Sequence, residues 1–220
     1  MAGLKRIGYN HGMKNSHLVF GEGQTHPLVI VISGPSGIGK DAVVGLLRNT
    51  NRNTHFVVTV NSRAPRKDEV DGRDYFFVTR QAFEEMIARD ELLEHARVYS
   101  DYKGIPKSQV REALESGKDV VMRLDVQGAM TVKRLIPDAV LIFLTASSKE
   151  EWTNRLQARR SETPEELALR CRVAEEEYSQ LDKFDYLVVN SDKHLEKTID
   201  DIQAIIHSEH LRTKPRKVIL

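Results

Sequence analysis

The stretch from Leu28 to Leu47 reads LVIVISGPSGIGKDAVVGLL, and its reading decides the fold. Leu28 to Ile32 carry no polar interruption and are mostly β-branched, the composition of a strand covered on both faces, as in the parallel sheets of α/β proteins. Gly34, Gly37 and Gly39 then supply a turn that lets the backbone approach a phosphate and aim successive N–H groups at it. Lys40 adds a point charge able to reach β- and γ-phosphates, and the helix that opens there brings its positive dipole end to the same anion. Gly34, the four residues Pro35, Ser36, Gly37 and Ile38, then Gly39 and Lys40 give the spacing of a nucleotide phosphate loop. One position departs: Asp41 stands where a Ser or Thr hydroxyl would meet Mg²⁺. A carboxylate can ligate Mg²⁺ directly or through water, but a first-turn acid that never meets a metal fits helix-terminus preferences equally well.

Outward from this stretch, 220 residues suffice for one sizeable core and a small inserted lobe. Acids and bases nearly cancel, to a formal net charge of +1, so no global field recommends nucleic acid or a membrane surface as a partner. Cys171 is the only cysteine, which excludes an intramolecular disulfide and fits a reducing compartment. No apolar run approaches the ~20 residues of a membrane-spanning helix. Residues 1–24 hold Lys5, Arg6 and Lys14 with no acid before Glu22, a faint bias toward an organelle transit segment, but they read first as a flexible leader. The expected location is therefore the cytoplasm, with the plastid stroma or mitochondrial matrix as alternative. Residues 209–220 are a basic tail, expected to fray from Leu211.

Along the chain, strands are expected at His55–Val60, Tyr75–Val78, Leu92–Tyr99, Asp119–Val126, Ala139–Ala146 and Tyr186–Asn190. Helices are expected between them: one capped by Thr79, one opening near Pro106 and ending at Gly117, then Gln127–Leu135, Lys149–Leu156, a long one from about Glu165 to Leu181, and Leu195–Ile206. Alternating strands and helices argue a doubly wound, largely parallel sheet. Between Thr59 and Lys103 the alternation fails, which marks an inserted lobe. Within it, Arg63 and Arg66 lie in a loop with Glu69, and Tyr75 follows; guanidinium groups and a phenol make a clamp for a doubly charged phosphate, although such charged runs are usually solvated loops. Arg155, Arg159, Arg160, Arg170 and Arg172 crowd around the break at SETP, where they can swing over phosphates or pair with Glu165, Glu166 and Glu175 on helix surfaces. Asp125 reads either as an acid steadying Mg²⁺-bound water or as a helix cap, and the histidines show no metal-ligand spacing.

The segments SGPSGIGK (Ser33–Lys40), SRAPRKDEVDGRDYFF (Ser62–Phe77), LLEHARVY (Leu92–Tyr99), LDVQGA (Leu124–Ala129), RLQARRSETPEEL (Arg155–Leu167) and DYLVVN (Asp185–Asn190) together resemble the guanylate kinase family over nearly all of residues 25–208. The resemblance implies an α/β fold, a P-loop doubly wound parallel sheet with an inserted GMP-binding lobe and a helical lid. The core would be 25–58, 104–157 and 182–208, the lobe 59–103 and the lid about 158–181. It implies transfer of the γ-phosphoryl group of ATP to GMP with Mg²⁺, by a chain acting as a monomer or homodimer. By resemblance Gly34 to Asp41 and Asn190 bind ATP; Thr59, Arg63, Arg66, Glu69, Tyr75, Glu94, Tyr102, Lys103 and Asp125 bind GMP; Lys40, Arg63, Arg159 and Arg170 carry the rate; and Asp41 and Asp125 serve Mg²⁺.

Glu94 matches the family's guanine-reading glutamate. Guanine presents N1–H and a 2-amino donor on one edge, whereas adenine would leave the carboxylate unpaired, so such a site can reject the wrong base by ~10⁴-fold. The chain departs from the family at Asp41, at Lys103 and Ile105 where many members have Tyr and a hydroxyl residue, at Arg160 in place of a glycine, and at Arg123 in place of a carboxylate. The substitutions at Asp41, Lys103, Ile105 and Arg123 resemble those of plant plastid and mitochondrial guanylate kinases. Two alternatives remain: a kinase of the same build for another phosphate acceptor such as ribose 1,5-bisphosphate, and a non-catalytic guanylate-kinase-like binding module.

Overall fold

A computed structural model of the chain describes residues 26–51, 53–67, 69–98, 101–157, 164–191 and 194–220. The apolar run of the opening motif is strand β1 (Val29–Ser33), the middle strand of a five-stranded sheet. Beside it lie β7 (Asp119–Arg123) and β8 (Val140–Thr145), with β2 (Thr54–Phe56) and β9 (Tyr186–Val189) at the edges, in the order β2-β7-β1-β8-β9 and all parallel. Val29 to Ile32 are fully buried because both faces are covered. Leu28, Ile30 and Ile32 pack with α1 (Lys40–Thr50) and α7 (Leu195–His210); Val29 and Val31 pack with α3 (Lys107–Glu115) and α4 (Val126–Leu135). Burying each aliphatic side chain contributes about 1.5–3 kcal/mol, so this run is also a main stabilising element. Because β7 and β8 flank β1, the chain reverses its winding at the carboxyl end of β1, where open α/β sheets place ligands.

A second sheet of order β4-β3-β6-β5 stands beside the first, built from β3 (Val60–Asn61), β4 (Phe76–Phe77), β5 (Leu92–Val98) and β6 (Asp101–Pro106). Helix α2 (Arg80–Ala88) covers it, with Phe83 packed on Val60 and Leu92. Thr79 caps α2 as expected, its hydroxyl accepting from Ala82 N–H at 3.1 Å. Helices α5 (Lys149–Gln157) and α6 (Pro164–Tyr178), followed by a 3₁₀ turn at Leu181–Lys183, complete the chain.

Four local expectations are corrected. The single strand expected at His55–Val60 is two, in different sheets, because Gln109 takes the main chain at the crossing: its Oε1 accepts from Val58 N–H at 2.9 Å and its amide donates to Val58 C=O at 2.7 Å. Strand β6 was not anticipated, since DYKGIP is half polar and holds Gly and Pro; its pairing is tertiary, antiparallel to β3 and β5. Strand β7 stops at Arg123, and Asp125 caps α4, accepting from Gly128 N–H at 2.8 Å. The tail does not fray after Leu211: Arg216 donates to the fully buried carboxylate of Glu209 at 2.7 and 2.9 Å and meets Asp185 at 3.3 Å, and Lys217 N–H donates to Asp138.

Candidate active site

The loop after β1 turns its carbonyls away from the cleft. Lys40 Nζ donates to Gly34 and Pro35 C=O at 2.5 and 3.1 Å, Trp152 Nε1 to Ser36 C=O at 2.9 Å, and Asn190 Nδ2 and Arg155 to Ile38 C=O at 2.7 and 3.3 Å. With carbonyls held from behind and Ile38 N–H turned back to Pro35 C=O at 3.3 Å, it is the uncapped start of α1 that is presented to an anion. Gly34 is required there: its φ is +136° and a Cβ would lie 2.3 Å from Leu144 C=O. Asn190, expected beside adenine, is 5 % exposed behind the loop, with its Oδ1 accepting from the Thr198 hydroxyl.

Facing the loop across a cleft of about 530 Å³ are Thr59, Tyr75, Glu94, Lys103, Arg123 and Asp125. Three cations stand over the Tyr75 ring, Arg63 at 5.3 Å, Arg123 at 5.7 Å and Lys103 at 5.8 Å from its centroid. Burial, then Arg63 and Arg66, lower the Lys103 pKa. So much converging positive charge fits a multiply charged anion. Glu69 fixes the outermost cation: both its oxygens accept from Arg63, at 2.5 and 2.6 Å, and Arg66 N–H donates to it at 2.8 Å, so its carboxyl is held down at about 2. Arg63, Arg66 and Glu69 thus back Tyr75 rather than line the cleft.

Tyr102 does not join the clamp. Neighbouring residues of a strand face opposite ways, so with Lys103 toward the cleft, Tyr102 stacks on Phe83 at 5.2 Å under Arg80. Ile105 is fully buried in the main core.

At the far end of the cleft, Glu94 is 8 % exposed, and burial, aided by Asp125, pushes its carboxyl up to about 7. Gly128 makes room for it: a Cβ there would come within 3.2 Å of Glu94 Oε1. A buried carboxylate at Glu94, with the exposed Asp125 nearby, suits a ligand with adjacent N–H donors.

From α6, Arg170 donates to the Ser36 hydroxyl at 3.0 Å. Glu177, which the sequence reading did not single out, lines the cleft, and its carboxylate accepts from Ser36 N–H. Burial pushes Glu177 up to about 7, against the pull of Lys40 and with help from Asp125. In the run EEEY it looks like a solvated acid; the usable signal is that Arg170, Ala174 and Glu177 share a helical face on which Ala174 is buried. Arg159 and Arg160 lie outside the described residues. Asp41 sits at the cleft in an ion pair with Arg123, whose other nitrogen donates to Tyr75 Oη at 3.1 Å. Among the described residues no group of three His, Cys, Asp or Glu side chains could hold a metal by itself.

Two anion-binding walls across one cleft, the first of them a phosphate loop on a doubly wound sheet, put the chain in the class of P-loop phosphotransferases. The guanylate kinase family model matches residues 26–209. The chain is 47 % identical over 193 residues to rice guanylate kinase 2, chloroplastic/mitochondrial, covering 87 % of this chain and 68 % of the rice protein. It is 43 % identical over 185 residues to the guanylate kinase of Halalkalibacterium halodurans, covering 84 % of this chain and 90 % of that one. The crystal structure of guanylate kinase from Anaplasma phagocytophilum superposes with a TM-score of 0.69 at 27 % identity, over 86 % of this chain and 89 % of that one. The chain belongs to the guanylate kinase family.

Proposed function

We propose that this chain is an ATP:GMP phosphotransferase in which ATP lies in the loop of Gly34 to Asp41 and GMP lies between Tyr75 and Glu94. The observation that carries the reading is the face-to-face placement of the loop with Lys40 and the cation-ringed Tyr75, with Glu94 beyond it. Lys40 leaves the loop carbonyls for the β- and γ-phosphates, and Arg170 follows from the lid. Lys103 neutralises the GMP phosphate in the cleft, and Arg63 and Arg66 add their charge from behind Tyr75; Glu69 aims Arg63, Thr59 stands beside the guanine, and Asp125 backs Glu94. The attacking phosphate oxygen is already anionic at neutral pH, so positioning and charge neutralisation carry the rate with no general base. By the family resemblance Arg159 shares the role proposed for Arg170, with the lobe taken as 59–103 and the lid as about 158–181.

Mg²⁺ takes few protein ligands beside phosphate oxygens, and the exposed carboxylate of Asp41 at the loop would hold it, with Asp125 contributing through water. When bound, it supplies charge neutralisation on the β- and γ-phosphates. The near-balanced charge supports a chain that works free of nucleic acid, as a monomer or homodimer. Among the described residues no helix is long and apolar enough to cross a membrane. The single cysteine supports a cytoplasmic location, and the name of the rice relative favours a plastid or mitochondrion as the second reading. An ADP-release assay offering GMP, dGMP, AMP, UMP and ribose 1,5-bisphosphate side by side tests the substrate: GMP is expected to lead, and preference for a non-guanine acceptor would overturn the reading.

A further inference from the structure

Arg123 stands at the last position of β7, paired in register with Ile32 of β1, two residues before the phosphate loop begins at Gly34. Its guanidinium has one partner on each wall of the cleft: Nη1 meets Asp41 in the first turn of α1, and Nη2 donates to Tyr75 Oη at 3.1 Å. The fork therefore spans the gap between the place for the donor's terminal phosphate, at the start of α1, and the place for the acceptor's phosphate, at Tyr75. Asp41 is 76 % exposed and, among the described residues, carries the one negative charge in an ion pair with the fork, whereas Arg123 is 26 % exposed. An anion at the loop can replace an exposed carboxylate on Nη1 while Nη2 keeps its phenol.

We propose that Arg123 is a catalytic residue, contacting the phosphoryl group in flight, and that Asp41 is a positioning residue that holds the fork at the junction of the two walls until the phosphate takes its place on Nη1. This rests on the reading of the cleft as the site of ATP:GMP transfer. In the step, the bond from the γ-phosphorus to the β–γ bridging oxygen breaks and its electron pair leaves with ADP; a lone pair of a GMP phosphate oxygen forms the new bond, and no proton moves. Charge builds on the equatorial oxygens between the walls, where a fixed guanidinium costs no reorganisation. A lysine there could not span both walls, since it lacks the planar fork.

The test uses the full chain and the variants Arg123→Ala, Arg123→Lys and Arg123→Gln. Turnover is measured with saturating ATP, Mg²⁺ and GMP, and the dissociation constants of ATP and of GMP are measured separately by titration calorimetry. Arg123→Ala is expected to lose about 10²- to 10³-fold in kcat with both dissociation constants within about threefold of the parent. Arg123→Lys is expected to recover less than tenfold of that loss, and added guanidinium at non-denaturing concentration to raise Arg123→Ala turnover at least about tenfold. A kcat within about threefold of the parent, or a loss matched by equal weakening of both ligands without guanidinium rescue, would overturn the assignment. Should Arg123→Ala not fold, Arg123→Gln carries the same test. An active parent with an unaffected variant refutes this inference alone, whereas a parent that makes no GDP removes the substrate reading and this inference with it.

Discussion

On the wall proposed for the donor, the loop from Gly34 to Lys40 leads into the uncapped start of α1, while Lys40, Trp152, Arg155 and Asn190 hold its carbonyls away from the cleft. On the acceptor wall, Arg63, Lys103 and Arg123 reach one ring, Tyr75, through side chains from a loop and two strands. The first wall is local and shaped by glycine; the second is assembled across sixty positions of sequence. In the proposed reading the main-chain wall takes the part common to all nucleoside triphosphates, and discrimination falls to the side-chain wall, whose members can be changed one at a time.

Substitutions on each wall therefore separate affinity for ATP from selection of GMP. The largest effect is expected at Lys40→Ala, which removes the loop's own cation: kcat should fall ~10²-fold or more with the unfolding midpoint unchanged, and near-normal turnover in a folded protein would remove Lys40 from the chemistry. Next is Glu94→Gln, which sets an amide donor against guanine's donors: kcat/KM for GMP should fall ~10²-fold while that for AMP holds, so the ratio of the two is the quantity to measure. Tyr75→Phe removes one hydroxyl and leaves the ring among its cations, and should weaken GMP about tenfold without changing ATP affinity, checked by calorimetric titration of each nucleotide.

The smallest effect contrasts the walls by pH. Burial pushes both Glu94 and Glu177 up to about 7, with opposite consequences. Glu94 must be ionised to accept two N–H bonds, so its contribution to GMP affinity is absent well below pH 7 and complete above it. Ionised Glu177 faces phosphate and occupies Ser36 N–H, so it opposes ATP above pH 7 and ceases to do so when protonated below it. Glu177→Gln should thus tighten ATP about threefold at pH 8 and leave it unchanged at pH 6, as read by equilibrium titration at the two values. Equal effects at both pH values would separate Glu177 from the titration.

The same contrast explains what the sequence made legible. Strand β1, the loop and α1 lie within about twenty residues, and their burial and dihedral demands appear directly as β-branched and glycine positions. The doubly wound order followed from alternation. Strand β6 did not, because its stability comes from pairing with β3 and β5 rather than from its own composition. The clamp was readable as charged residues, but which of them face the cleft depends on strand alternation, which sends Lys103 in and Tyr102 out. Glu94 and Glu177 look like surface acids in sequence; only packing against Gly128 and against the loop gives them their raised pKa values.

The account's central claim is that one cleft seats the two nucleotides end to end, with phosphates meeting at Arg123 and the guanine at Glu94. Its most direct test is competition binding of a bisubstrate compound, adenosine and guanosine joined through their 5′ oxygens by an oligophosphate. The account predicts one molecule per chain, displaced by ATP and by GMP alike, with affinity lost in both Lys40→Ala and Glu94→Gln. Binding that persists beside saturating GMP, or that ignores Glu94→Gln, would contradict it.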